Sequence, residues 1–548
     1  MENLIRKKIN ETLYKLVDNK ELLSELTFDV EVPKDSKNGD FATNVAMKLA
    51  SMLKKSPRAI AEEIKLKIGD SFFEKIEVAG PGFINFFVSK SFFYDFLLKI
   101  IENQNNLMSD IGSGKKVQVE FVSANPTGPL HIGHGRGAAY GDSLARLLSA
   151  CGFDVQKEYY INDAGNQMNN LALSIYSRYL ELSGVNYEFP QDGYKGEYII
   201  DIAKDIKNRY GDSLLGMKEE EAINLCFRIG VEQILETIRK DLEDFRVTFD
   251  NWFSEKSLYQ SGEVDDTLTE LQNKEKVYEH DGALWFKSTE YGDDKDRVLK
   301  RGSGELTYFA SDIAYHRNKI RRGFDYLINV WGADHHGYVK RLKSSVSALG
   351  FNEDMLEIKL VQMVGLVEGG EKISMSTRAG TFVELRWLLD KVGSDAARYF
   401  YIMRDINSQF EFDIDLALSK SSDNPVYYVQ YAHARVCSIL RNAEEKGVKF
   451  FVGKYLEKLN LEQDMALIKK LYEFKSVLET AANLREPHRI PYYLQDLAAL
   501  FHNYYKNNQI LNEDDIEVTS ARVTLCLAVK EVIKFALNLI GVDAPERM

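Results

Sequence analysis

The sequence has no apolar run of the roughly 18 residues that would cross a bilayer as a helix, so no membrane span is expected. Its start, Met1-Glu2-Asn3-Leu4-Ile5-Arg6-Lys7-Lys8, has neither a long apolar stretch nor a small-residue cleavage site. It reads as an amphipathic helix and not as a signal peptide, and the expected compartment is the cytoplasm. Cysteine is scarce. Cys151, Cys226, Cys437 and Cys526 lie far apart with no Cys-x-x-Cys pair, which argues against a structural zinc site and for free thiols in a reducing compartment. No protein-held metal site is expected. Gly-x-x-x-x-Gly-Lys-Ser/Thr does not occur, so a Walker-type phosphate loop is disfavoured. Internal repeats and low-complexity tracts are missing too. Positive charge is in deficit, with a net charge of −13, which weighs against a uniformly basic nucleic-acid binder but leaves room for a local basic face. Two basic clusters exist, His316-Arg317-Asn318-Lys319-Ile320-Arg321-Arg322 and Lys340-Arg341-Leu342-Lys343, and both read as solvated helix faces.

What is present fits a multidomain globular protein, since 548 residues exceed one compact core. Residues 1–110 read as a small α+β domain: helical patterns come first, then the turn Ala79-Gly80-Pro81-Gly82, then an aromatic and β-branched run. Within that run Asn85, between Ile84 and Phe86, is expected on an exposed face. Residues 111–390 alternate strands and helices, with strands expected at 117–122, 155–161, 326–331 and 358–367. This favours a parallel, doubly wound α/β sheet. A charged, mostly helical insertion is expected at about 185–300. From about 420 the β signals vanish, and residues 391–548 read as a linker followed by a helical domain. Asp423-Asn424-Pro425 caps a helix in which Val426, Val429, Ala432, Val436 and Ile439 recur at helical spacing, and an all-α bundle follows. No heptad seam or apolar face calls for a partner subunit, so a monomer is expected.

The strongest chemical signal is His131-Ile132-Gly133-His134, placed after a strand and a Pro/Gly turn and at the opening of a helix. A helix start offers N–H groups and partial positive charge to an anion. Two imidazoles one turn apart can donate to phosphate oxygens, and Gly133 clears space for close approach of a base to the backbone.

These residues sit inside a longer stretch, Glu120-Phe121-Val122-Ser123-Ala124-Asn125-Pro126-Thr127-Gly128-Pro129-Leu130-His131-Ile132-Gly133-His134-Gly135-Arg136-Gly137, that resembles the signature region of arginyl-tRNA synthetases. The resemblance continues at Tyr159-Tyr160-Ile161-Asn162-Asp163-Ala164-Gly165-Asn166-Gln167, at Thr307-Tyr308-Phe309-Ala310-Ser311-Asp312, and at Trp331-Gly332-Ala333-Asp334-His335-His336-Gly337. Asn38-Gly39-Asp40-Phe41 near the start and Gly541-Val542-Asp543-Ala544-Pro545-Glu546-Arg547-Met548 at the other end match as well.

The resemblance implies a class I synthetase: a Rossmann-type catalytic domain, an N-terminal tRNA-contacting domain and a C-terminal anticodon-binding bundle. It implies ATP-dependent ligation of L-arginine to tRNA-Arg through an arginyl-adenylate, with Mg²⁺ accompanying ATP and transfer to a terminal ribose 2′-OH. His131, Gly133, His134, Asp334 and Met363 would bind ATP. Glu120, Ser123, Asn125, Gln167, Tyr308, Asp312 and His336 would bind arginine. Carboxylates suit a guanidinium because each can accept two of its hydrogen bonds. Asn85, Tyr427, Tyr431 and Arg435 would meet tRNA. The second class I signature is degenerate here, at Lys372-Ile373-Ser374-Met375-Ser376-Thr377-Arg378. Lys372 and Arg378 are the cations it offers to the leaving pyrophosphate. That degeneracy is the one support for the alternative, a catalytically weak tRNA-binding paralogue.

Overall fold

A computed structural model describes residues 2–17, 20–24, 26–68, 72–373 and 382–548. The chain divides into two compact units. One comprises Met1–Asn103, Ala443–Tyr472 and Asn508–Ala528, and the other Gln104–Asn442, Glu473–Asn507 and Val529–Met548.

The first unit is built on a four-stranded antiparallel sheet of β1 (Val30–Glu31), β2 (Phe41–Thr43), β3 (Phe73–Ala79) and β4 (Phe83–Val88), in the order β1-β2-β4-β3. The helix Glu2–Leu16 carries Ile5, Ile9 and Leu13 four residues apart, one apolar stripe down one face. That stripe joins Val45, Leu49, Ile60, Ile64, Ile84 and Phe86 in one core. β4 lies between β2 and β3, and residues 84, 85 and 86 are all buried. Asn85 is therefore not exposed: it is 5% accessible. Alternation exposes every second residue only when one face of a strand meets water, and this central strand has neither face free.

The second unit holds a five-stranded parallel sheet: β5 (Lys116–Glu120), β6 (Asp154–Ile161), β7 (Asn251–Ser254), and, after an antiparallel excursion, β11 (Tyr326–Gly332) and β12 (Leu356–Val361). The excursion is the small sheet β8 (Val277–His280), β9 (Ala283–Phe286) and β10 (Arg297–Lys300), which with β7 interrupts the 185–300 stretch expected to be mostly helical. The order β12-β11-β5-β6-β7 reverses direction at β5/β11. Chain leaving the carboxyl ends of those two strands diverges there, which opens a crevice for ligands.

The single strand expected over 358–367 is two strands. β12 closes the parallel sheet, and β13 (Val364–Glu368) turns into a second sheet with β14 (Glu371–Ile373) and β15 (Phe410–Asp413). Gln362 and Met363 form the break. From 425 onward the chain is helical, in Pro425–Glu445, Glu462–Leu484, Arg489–Asn507 and Ile516–Leu539.

Residues 540–546 are strapped onto the second unit by side chains from other elements. Arg398 donates to the Ile540 carbonyl (2.8 Å) and Arg246 to that of Gly541 (3.0 Å). Gln430 donates to Asp543 O (3.0 Å), His433 to Pro545 O (2.9 Å) and Arg441 to Glu546 O (3.1 Å). A Cβ at Gly541 would fall 2.3 Å from the Arg398 guanidinium, and φ there is +66°, so only glycine fits.

Candidate active site

His131 is the N-cap of the helix Ile132–Ala150. Its Nδ1 accepts from the backbone N–H of Gly133 (3.1 Å) and of His134 (3.3 Å), while Nδ1 of His134 accepts from the N–H of His131 (3.2 Å). The pair builds from two imidazoles the reciprocal cap that Ser/Thr and Glu usually make. The rings stack at 3.6 Å. A Cβ at residue 133 would come within 2.9 Å of the His131 ring, so Gly133 is needed for the cap itself.

This geometry changes the expected source of phosphate donors. Ile132 N–H is taken by Val383 O (3.0 Å) and Gly135 N–H by His131 O (3.2 Å), so the first-turn amides are spent inside the protein. Burial lowers the pKa of His131, against a backbone hydrogen bond and Asp334 that raise it. Burial, then His131, lowers His134 to about 3. Both rings are neutral at pH 7, and with Nδ1 accepting, the proton sits on Nε2. The donors are two Nε2–H groups backed by the helix dipole.

Beyond Glu120 the chain turns sharply. Val122 and Ser123 have φ of +64° and +42°, and a β-branched residue there is strained. The turn is pinned to β6: Tyr160 N–H donates to Ser123 Oγ (3.1 Å) and Tyr159 OH to Ala124 O (2.8 Å). It brings Ser123 Oγ to Glu120 Oε1 (3.1 Å) and the Asn125 amide to Gln167 Oε1 (2.8 Å).

Three acidic residues converge behind this turn. Glu120 is buried and bridged to Lys319, which also donates to Asn329 Oδ1 (2.9 Å). Its charge is thus already balanced. Asp312 is half-buried and accepts from Tyr338 OH. Burial pushes its carboxyl up to about 7; the Tyr338 hydrogen bond opposes this, and Glu255 and Glu120 add to it. Glu255 was not singled out in the sequence. It is fully buried, accepts from Ser311 Oγ (2.7 Å) and from the Asn162 amide (2.8 Å), and burial raises it too. Among the described residues neither Asp312 nor Glu255 has a cation within ion-pair distance. The buried Tyr160 hydroxyl lies in the field of Glu255, Asp312 and Glu120, which raise its pKa further after burial. Tyr308, one turn before Asp312, is exposed, with its hydroxyl 2.9 Å from where a Cβ on Gly165 would be.

Other residues lie further out. Asp334 and His335 face each other at 3.6 Å, both exposed, and His336 is exposed beside them in the turn after β11. Met363 is 75% accessible at the β12–β13 break. Lys372 is exposed on β14 and bridged to Glu411. Arg378 lies outside the described residues.

The 316–322 cluster is not a solvated basic face. His316, Arg317 and Lys319 are buried, Arg317 and Arg321 bridge Glu270, and Arg322 bridges Glu158. By contrast, an aromatic–cationic surface does form around Tyr431. Tyr427 stacks on it at 6.0 Å, and the Arg435 guanidinium lies 4.5 Å over its ring and 4.7 Å over Tyr505. His502 accepts from Arg435 (2.8 Å), a contact the sequence did not announce.

Three family models match. The arginyl tRNA synthetase N terminal domain covers residues 3–88, the class I (R) tRNA synthetase catalytic domain 97–405, and the DALR anticodon binding domain 429–548. An arginine–tRNA ligase 1 of Halalkalibacterium halodurans is 51% identical over 95% of this chain and 94% of its own. An arginine–tRNA ligase of Geobacter sp. strain M21 is 53% identical over 95% of each. Thermus thermophilus arginyl-tRNA synthetase, 22% identical, superposes over all of both chains with a TM-score of 0.76 and shares the fold.

Proposed function

This chain belongs to the arginyl-tRNA synthetase family, and from that premise we propose how its site recognises arginine, ATP and tRNA. The activity is ATP-dependent ligation of arginine to tRNA-Arg. The alternative of a catalytically weak paralogue is not favoured, given about 50% identity to ligases over nearly the whole chain.

The observation that carries the reading is a pair of carboxylates, half-buried Asp312 and fully buried Glu255, with no cation within ion-pair distance among the described residues. The arginine guanidinium supplies the missing charge and fills the hydrogen-bonding capacity of both carboxylates. Glu120, already neutralised by Lys319, shapes the wall. Lysine would leave part of that set unpaired, which is a strong basis for discrimination without editing. Ser123 and Asn125, held in the strained turn, and Gln167, which accepts from Asn125, face the amino acid's α-groups, with Tyr308 and His336 at the rim.

The carboxylate of arginine attacks the α-phosphorus of ATP and pyrophosphate leaves. Little covalent work falls to the protein, so positioning and preorganised donors dominate. The Nε2–H groups of His131 and His134 meet the phosphates, with Gly133 keeping their cap intact. Asp334 takes the ribose and Met363 the adenine. Mg²⁺ would come with the nucleotide, held by its phosphate oxygens. Lys372 and Arg378 are the proposed partners of pyrophosphate. The ribose 2′-OH of tRNA-Arg then attacks the carbonyl carbon of the adenylate, taking the arginyl group as AMP leaves.

Tyr427, Tyr431 and Arg435 offer unpaired bases a stacking surface. Asn85, being buried, would need a local rearrangement to touch tRNA and drops from this reading. Residues 1–110, 111–390 and 391–548 are proposed as the tRNA-contacting, catalytic and anticodon-binding domains of a cytoplasmic monomer.

The test is ATP–pyrophosphate exchange with each standard amino acid, with and without tRNA. Exchange with arginine alone is expected, and exchange with another amino acid instead would sink the pocket assignment.

A further inference from the structure

Arg136 lies on the same helix as His131 and His134, is fully buried, and carries one of the chain's largest enclosed side chains. Its partners are all backbone carbonyls. Nη1 donates to Gln362 O (3.0 Å) and Ser408 O (2.9 Å), and Nη2 to Asp405 O (2.9 Å). The guanidinium also lies 5.5 Å over the Phe410 ring. Its Nε is buried with no partner, and among the described residues no carboxylate comes within ion-pair distance. Burial lowers its pKa to about 10.

A buried charge held only by neutral dipoles is expensive, and a well-packed apolar side chain would serve stability as well. What such a side chain could not do is hold three carbonyls in a fixed fork. Gln362 is the first residue past β12. Its N–H donates to Ile406 O (2.9 Å) while its carbonyl is held by Arg136, so both backbone groups beside the exposed Met363 are fixed. The result is a rigid tie between the helix that carries the imidazole donors and the strand end that carries Met363.

We propose that Arg136 is a positioning residue for ATP: it sets the span between the phosphate end of the site, at His131 and His134, and the adenine end, at Met363. The proposal rests on the placement of ATP given above. It differs from a purely structural role in one respect. A span matters only to a ligand that reaches both ends.

The experiment compares the parent chain with Arg136→Gln and Arg136→Lys in tRNA-dependent pyrophosphate exchange, varying ATP and arginine separately. Adenosine and tripolyphosphate serve as inhibitors that each occupy one end. In Arg136→Gln the KM for ATP is expected to rise about tenfold, and less in Arg136→Lys, while the KM for arginine and both inhibition constants stay within about twofold. An unchanged KM for ATP overturns the proposal. So does an equal rise in the KM for arginine, or equal weakening of the two fragments, since either marks general loosening. If Arg136→Gln does not fold, Arg136→Lys decides by the same criteria. Failure of the parent chain itself to exchange with arginine removes the functional reading before Arg136 enters.

Discussion

Asp142 and Asp312 sit on two helices of the same α/β unit, and their surroundings differ in one respect. Asp142, fully buried on the signature helix, accepts from Arg398 (2.6 Å), Arg146 (2.7 Å) and Lys157 (3.2 Å). Burial alone would raise its pKa, but those three cations outweigh it and hold the carboxyl below its usual range. Glu158, buried on β6, behaves likewise, with Arg322 at 2.6 Å and hydrogen bonds from Gln118, Tyr315 and Asn251. Asp312 and Glu255 have neutral donors alone, and both are raised. Where the chain balances a buried charge from its own residues, the charge organises the fold. Where it leaves the balance open, a ligand closes it.

Four measurements break or sharpen this contrast. Asp142→Ala strands the Arg398 guanidinium in the interior, so stability should fall by about 3–5 kcal/mol in urea unfolding; an unchanged midpoint would end the structural half of the comparison. Asp312→Asn should lower kcat/KM for arginine by about 10²–10³-fold with no loss of stability, because the pocket no longer confines an unpaired acid. A parallel loss of melting temperature would make Asp312 another Asp142. Tyr431→Ala lies outside both charge sites and should raise the KM for tRNA by the equivalent of about 1–3 kcal/mol, leaving the KM for arginine alone. The smallest effect is on pH. In the proposed reading arginine binds the ionised form of Asp312, whose carboxyl burial raises to about 7. The KM for arginine should therefore fall about tenfold as pH rises from about 6 to 8, a slope that Asp312→Asn abolishes. A flat profile in the parent would mean that the pocket is already charged.

The sequence made the parallel sheet, the helix start at His131 and the helical C-terminal part legible, since each rests on local pattern: alternation, a Pro/Gly turn before a helix, apolar spacing. It did not reveal Glu255, because a single acid after a short edge strand looks solvated until Ser311 and Asn162 are folded against it. The 316–322 cluster failed in the opposite direction. Its charges look like a wet face until Glu270, Glu158 and Glu120 arrive from segments more than 40 residues away. Asn85 failed because alternation assumes one wet face. The β12–β13 run failed because apolar periodicity carries no mark where a strand leaves one sheet for another, although that break exposes Met363. The helix-start reading offered both backbone amides and imidazoles as phosphate donors, and it missed that the first-turn amides are taken up inside the protein, because histidine can cap as well as bind.

The strap over 540–546 has a consequence for synthesis. During translation every strand of the parallel sheet leaves the ribosome before residue 540 does. Until then Arg398 lacks the Ile540 carbonyl, Arg246 lacks that of Gly541, and His433 lacks that of Pro545. The nascent chain can assemble its sheet and its cap early, yet the guanidinium that shares Asp142 waits for residue 540. A message truncated shortly before that codon would yield a product with a recognisable sheet and an unsealed interior, the kind of molecule that quality-control proteases remove.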